Sequence, residues 1–397
     1  MNMISRLVHI SVFAYCSILL YACTAGSAVT GANNRYEHLI DSITRQYAPD
    51  KRVAIVEFQS RGNTLLGKTS LPEARQALLS ALQQSGLTYI DSILVLPDPA
   101  LQGKVLAITN NSVSNIRSEP RHGAELSTQA TLGTPLRVWE KRGSWYRVQL
   151  PDEYLGWVDA GGIELMDSLA FARWEKAEKI IYTGYYGFAY NEADQYSGTV
   201  ADLVYGNILT VEDEVHTYYL ARFPDGRRAY IPKDNAVPYS RWAETRTPSP
   251  ENLVASAKHL MGVPYLWGGT SFKGVDCSGF TKTVYFMNGL VIPRDASQQV
   301  HVGDLIDTAG NWSKLRPGDL LFFGRPAEEG RPERVVHVGM WIGGNLEFIH
   351  SSSQVRVSSM NPKAENFDKY ELSRFLRAKR IQPDQVKDLR KESLFGN

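Results

Sequence analysis

MGVPYLWGGTSFKGVDCSGFTKTVYFMNG, residues 261–289, decides how the rest of the chain is read. Behind Cys277 the apolar residues Phe280, Val284 and Met287 recur at helical spacing, and Gly289 suits a C-cap. Ahead of it, Gly268, Gly269 and Gly274 suit a tight loop and not a helix. The pattern therefore predicts Cys277 in the first turn of a helix entered from a glycine-rich loop. Unpaired backbone N–H groups and the helix dipole favour a thiolate there, and a cysteine pKa of about 8.5 can fall to roughly 3.5–7.5 in such a position. Taken alone, the stretch fits a buried structural cysteine equally well.

A thiolate needs a base. Residues 335–342 (VVHVGMWI) read as a buried strand, residues 346–351 (LEFIHS) as the next, and Gly343-Gly344 as the hairpin between them. Pairing of these strands is expected to bring His337 and His350 together. His337 would take the thiol proton, and His350 behind it would fix the ring's tautomer and orientation. A lone strand histidine is more often a satisfied core residue; two on paired strands, downstream of a cysteine at a helix start, favour chemistry.

These residues carry a resemblance. PYLWGG (264–269), DCSGF (276–280), LRPGDLLFF (315–323) and HVGMWIG (337–343) resemble the NlpC-type cell-wall cysteine peptidases over about 250–380. The resemblance implies a papain-like fold with a cysteine, a histidine and a third polar residue. Trp341 stands where a tyrosine is more usual. The expected catalytic set is Cys277, His337 and His350, with the Tyr265 hydroxyl and the Cys277 backbone N–H as oxyanion donors.

Composition bounds the remainder. A net charge of +1 over 397 residues offers no basic surface for nucleic acid. The 20 Tyr and 8 Trp fit small β domains that contact carbohydrate or peptide, or simply core filling. Residues 1–23 read as a targeting segment, with Arg6 before the apolar stretch Leu7–Tyr21 and a Leu-Tyr-Ala-Cys junction. This resembles a bacterial lipoprotein signal, which implies acylation of Cys23 and an exported, membrane-anchored protein, with plain secretion as the alternative. Of the three cysteines, Cys16 leaves with the signal and Cys23 carries lipid, so Cys277 is a single free thiol.

The expected fold class is α+β: a papain-like catalytic domain preceded by two small SH3-like β-barrels and a small N-terminal α/β unit. A tether and α/β unit occupy 24–102, with Glu57 and Asp91 solvated or paired and not catalytic. From 103 short strands with Gly and Pro punctuation begin, and ATLGTPLRV (130–138) lines up with LVYGNILTV (203–211). This is read as two SH3-like domains, 103–167 and 168–240, followed by a linker at 241–250, the catalytic domain at 251–385 and a polar, frayed tail at 386–397.

Paired SH3-like domains ahead of such a catalytic domain resemble endopeptidases that cut between γ-D-glutamate and an L-diamino acid in peptidoglycan peptides with a free L-Ala amine. That resemblance implies that Asp276 and Ser278 flank the nucleophile at the substrate cleft, that Asp295 faces the ammonium, and that Tyr154 adds a hydroxyl. Ala296 replaces a frequent serine, so Ser297 is the candidate for that contact. No metal or cofactor is called for, since one cysteine and scattered histidines lack paired-ligand spacing, and the protein is read as a monomer. The alternatives are a cell-wall binding protein with an inactive catalytic fold, and a Cys–His acyltransferase or amidase.

Overall fold

A computed structural model describes residues 34–394, which fall into two compact units, one ending at Asp98 and one beginning at Pro99. The signal segment and Cys23 lie outside the described residues.

In the first unit, a helix through residues 34–47 and the helix Pro72–Gln84 share a core with three strands, Val56–Arg61, Thr64–Thr69 and Ile90–Val95. The first two strands are antiparallel, and the second and third are parallel. The strand Thr64–Thr69 had no counterpart in the sequence reading, because Gly67 interrupts it and reads as a breaker. Gly67 is required there: a Cβ would lie 1.8 Å from the Glu57 carbonyl oxygen, and φ is +125°. Glu57 pairs with Lys68 at 3.5 Å, and Asp91 pairs with Arg75.

The second unit opens with two seven-stranded antiparallel sheets of small-barrel type. The first runs through Leu106–Thr109, Val113–Arg117, Leu126–Thr131, Pro135–Arg142, Trp145–Gln149, Leu155–Asp159 and Ile163–Met166. The second runs through Lys179–Tyr182, Tyr186–Tyr190, Thr199–Val204, Ile208–Val215, Tyr218–Arg222, Arg228–Pro232 and Ala236–Pro238. Strand order is the same in both, so the internal repeat is one of topology as well as pattern. Alternating apolar residues fill each interior, Ile116, Val138, Val148 and Val158 in one and Leu203, Leu209, Ala221 and Ile231 in the other. The equivalent turns of the two copies pack on each other. The Ile208 N–H donates to the Leu132 carbonyl at 2.9 Å, and a Cβ on Gly133 would lie 2.2 Å from the Ile208 oxygen.

Two segments differ from the sequence reading. The expected linker 241–250 begins inside a helix, Tyr239–Thr245, whose Trp242 is 1 % exposed. Its indole packs with Ile108, Ile181, Ile208 and Val291 and donates to the Tyr205 hydroxyl at 3.1 Å, so this segment joins both barrels to the third layer. The expected frayed tail is docked through residue 394. Lys387–Asp388 pairs with Leu290–Val291, and Leu389 and Leu394 are buried in the same cluster as Trp242. Two leucines among charged neighbours gave no periodic signal, yet burying each contributes roughly 1.5–3 kcal/mol.

The third layer is an antiparallel six-stranded sheet. Its spatial order is Asp304–Asp307, Phe375–Arg380, Leu320–Arg325, Arg334–Gly343, Glu347–Ser352 and Gln354–Ser359. Against it lies the helix Cys277–Met287, which buries Phe280, Val284 and Met287 on Leu320, Phe322, Val338, Met340 and Ile349. The helix Pro250–His259 joins this core through Leu253 and Ala257; the Ser249 side chain caps its N-terminus, and Pro250 fills its first turn. The fold is α+β.

Candidate active site

The start of the helix Cys277–Met287 is fixed by Asp276. As N-cap it accepts from the Gly279 N–H at 2.7 Å, and its other oxygen accepts from the Gly268 N–H at 2.9 Å. Glycine is needed at 279, because a Cβ would sit 1.9 Å from the Gly269 carbonyl oxygen. The glycine loop thus lies backbone-to-backbone on the helix. A buried carboxylate in this place needs a counter-ion, and Arg294 supplies it. Its Nη1 and Nη2 donate to the two Asp276 oxygens at 3.0 and 2.6 Å, with further bonds to Ser278 Oγ and Thr128 Oγ1. Arg294 is 1 % exposed.

Cys277 is the first residue of the helix and is buried. The expected thiolate is not the resting form. Burial pushes the thiol up to about 12, aided by the Asp276 charge and opposed by the backbone N–H groups of Val338 and Ser278 and by Arg294. Desolvation of the sulfur therefore outweighs the helix dipole. The Val338 N–H reaches the sulfur from the strand that carries His337. Cys277 and His337 are thus both neutral at rest, a thiol and an imidazole.

The histidines are brought together as the hairpin required, with Gly343 and Gly344 at φ +87° and +60° in its turn. His337 Nε2 lies 2.8 Å from His350 Nδ1, and His350 Nε2 lies 3.0 Å from Ser358 Oγ. With Ser358 as acceptor at His350 Nε2, His350 Nδ1 accepts from His337 Nε2–H. The His337 Nδ1 lone pair is then left to act as base. Burial holds His337 well below its ordinary value and brings His350 down to about 3, with Arg356 and Arg374 acting in the same direction.

These shifts fix a pH dependence. In the unfolded chain both rings titrate near 6.5, whereas in the fold both stay neutral. Their contribution is therefore complete above that pH and is lost as pH falls toward the folded values. By pH 5.5 each ring is expected to cost about 1.4 kcal/mol. Urea unfolding at pH 7.5 and 5.5 should show the loss, and His350→Asn should remove roughly half of it. A stability unchanged between the two pH values contradicts the neutral pair.

The Tyr265 backbone N–H donates to the Ser353 carbonyl at 2.9 Å. Burial, with Cys277 and Asp276 nearby, raises the pKa of its phenol. Asp295 caps the short helix Ala296–Gln299, and its Oδ2 accepts from the Tyr154 hydroxyl of the first barrel at 2.9 Å. The carboxylate keeps 27 % exposure and lies 3.9 Å from Arg294. Ser278 and Asp276 are buried in the Arg294 network, and Ser297 is half-buried in the first turn after Asp295. Three residues at the site were missed: Arg294, Ser358 and Glu371. Glu371 is 3 % exposed, its Oε1 lies 3.7 Å from His337 Nε2, and Arg374 pairs with it. His337, His350 and Glu371 thereby bring three potential metal-ligand atoms within 4.8 Å of one another. A cation there must displace the proton shared by the imidazoles and compete with Arg374 for the carboxylate.

Residues 262–374 match the NlpC/P60 family, and residues 116–163 match the bacterial dipeptidyl-peptidase Sh3 domain. A gamma-D-glutamyl-L-lysine dipeptidyl-peptidase of Bacillus cereus is 31 % identical over 253 residues, covering 60 % of this chain and 71 % of the relative. The protein of the same name in Bacillus subtilis is 27 % identical over 234 residues, covering 57 % and 72 %. The crystal structure of an NlpC/P60 family protein from Bacillus cereus superposes with a TM-score of 0.60 at 24 % identity, over 70 % of this chain and all of that one. At that identity the superposition speaks for the fold.

Proposed function

Because the chain belongs to the NlpC/P60 family of cysteine peptidases, we propose that it releases L-Ala-γ-D-Glu from the L-diamino acid of peptidoglycan peptides whose L-Ala amine is free. Cys277 attacks the γ-glutamyl carbonyl as its proton passes to His337 Nδ1. The tetrahedral oxyanion is met by the Cys277 N–H and the Tyr265 hydroxyl. Collapse forms a thioester and transfers the imidazolium proton to the leaving amine. Water, deprotonated by the same nitrogen, then releases the dipeptide. The names of the Bacillus relatives support the substrate class.

The observation that carries the free-amine requirement is the contact of Tyr154 with Asp295. The first barrel there reaches the catalytic domain beside the residues that anchor the nucleophile helix, and it leaves a partly exposed carboxylate. A desolvated ammonium on that carboxylate selects for free-amine peptides, because an acetylated one brings no cation to it. The test is mass spectrometry of products from L-Ala-γ-D-Glu-diaminopimelate and its N-acetyl form. Only the free amine is expected to be cut efficiently, and Asp295→Asn should raise KM about tenfold or more with a smaller change in kcat. Equal cutting of both peptides discards the Asp295 role. Residues 1–23 support export with a lipid on Cys23 as part of the same proposal.

A further inference from the structure

Glu371 is not needed by the hydrolytic sequence above, yet a buried carboxylate is costly to keep unless it does something or is paired. It belongs to the short helix Lys369–Ser373, whose N-cap Asp368 accepts from the Glu371 N–H at 3.0 Å. Arg374 donates to its two oxygens at 2.6 and 2.9 Å. Burial raises the pKa of the Glu371 carboxyl, and those donors oppose the rise. The Oε1 atom lies 3.7 Å from His337 Nε2.

Each element around that imidazole contributes a group. The strand Glu347–Ser352 brings His350, and the strand Leu320–Arg325 brings the neutral ring of Phe323 at 5.8 Å. The strand Gln354–Ser359 brings Arg356, which opposes protonation, as does Arg374 beyond the helix. The nucleophile helix meets the strand of His337 at the next residue, where the Val338 N–H reaches the Cys277 sulfur. Asp368 favours protonation, and Glu371 Oε1 is the carboxylate oxygen 3.7 Å from the ring's Nε2. His350 is held neutral. Once the sulfur has bonded to carbon, the thiolate charge that balanced the imidazolium has moved to the oxyanion. A fixed carboxylate behind the ring keeps the proton on His337 until the leaving amine takes it.

We propose that Glu371 is a positioning residue that raises the proton affinity of His337, with Arg374 holding the carboxylate ionised and in place. This rests on the reading of Cys277 and His337 as a proton-exchanging pair, and it is tested without substrate. Iodoacetamide alkylation of the Cys277 peptide in the full chain is followed by mass spectrometry from pH 4.5 to 9. Loss of the carboxylate charge destabilises the thiolate–imidazolium form. Glu371→Gln is therefore expected to lower the plateau rate about tenfold and move the acid limb down by about one pH unit, since one unit of imidazole pKa is tenfold in that equilibrium. Glu371→Asp keeps the charge and should stay within about threefold of the parent, with a smaller displacement of the limb in the same direction. Should the glutamine variant fail to fold by circular dichroism, the displacement in the aspartate variant carries the test. An unmoved acid limb, or an aspartate variant as slow as glutamine, overturns the proposal and leaves Glu371–Arg374 a structural tie. If His337→Ala alkylates like the parent, the Cys–His reading itself falls.

Discussion

Cys277→Ala is expected to reduce hydrolysis of L-Ala-γ-D-Glu-diaminopimelate by about 10⁴-fold or more, with an unchanged circular dichroism spectrum. Removing the sulfur takes away the group that forms the acyl intermediate in the proposed mechanism. Ser278, the neighbouring hydroxyl, is held by Arg294 and by Asp276. Cys277→Ser should be nearly as damaging, because a buried hydroxyl holds its proton more tightly than a thiol whose pKa is already pushed to about 12. Product mass spectrometry reads the rate, and a rapid-quench search for a thioester adduct of the parent enzyme reads the intermediate. Alanine activity above one part in about a hundred would sink the covalent mechanism.

Arg294→Met is expected to destabilise the second unit by about 3–5 kcal/mol, the cost of stranding a buried charge. The stranded group is Asp276, which would keep its two backbone donors but lose both guanidinium bonds. The Thr128 contact to the first barrel goes with it. Urea denaturation measures the loss, and adding Asp276→Asn should recover part of it by removing the unpaired anion. A loss below about 1 kcal/mol, the range of an exposed ion pair, would mean that water reaches Asp276 and that the helix start is held by its N-cap alone.

The parts of the site legible in the sequence are those set by short-range signals. A glycine loop and a 3.6-residue period placed Cys277, and a Gly-Gly turn between two apolar runs brought His337 beside His350 on paired strands. Arg294 was hidden because it stands in the polar run Pro293-Arg294-Asp295, which reads as surface. Its burial is created by Asp276 and Thr128, 18 and 166 residues away. Glu371 was hidden likewise, in a charged helix where only tertiary packing on His337 makes one carboxylate different from its neighbours. Trp242 was lost inside an apparent linker because one aromatic residue sets no period. The thiol was misjudged for a separate reason: the dipole is local and readable, whereas desolvation depends on the whole fold.

The first barrel is attached to the nucleophile helix through the pair of Asp152 with Lys282, and to the segments on either side of that helix through Gln129 on Thr270 and Thr128 on Arg294, among other bonds. Such a seam leaves no hinge between the phenol of Tyr154 and the sulfur of Cys277. Under the proposed function, the separation of those two groups is therefore set before any peptide arrives, and a peptide with one residue added ahead of the alanine is expected to be excluded.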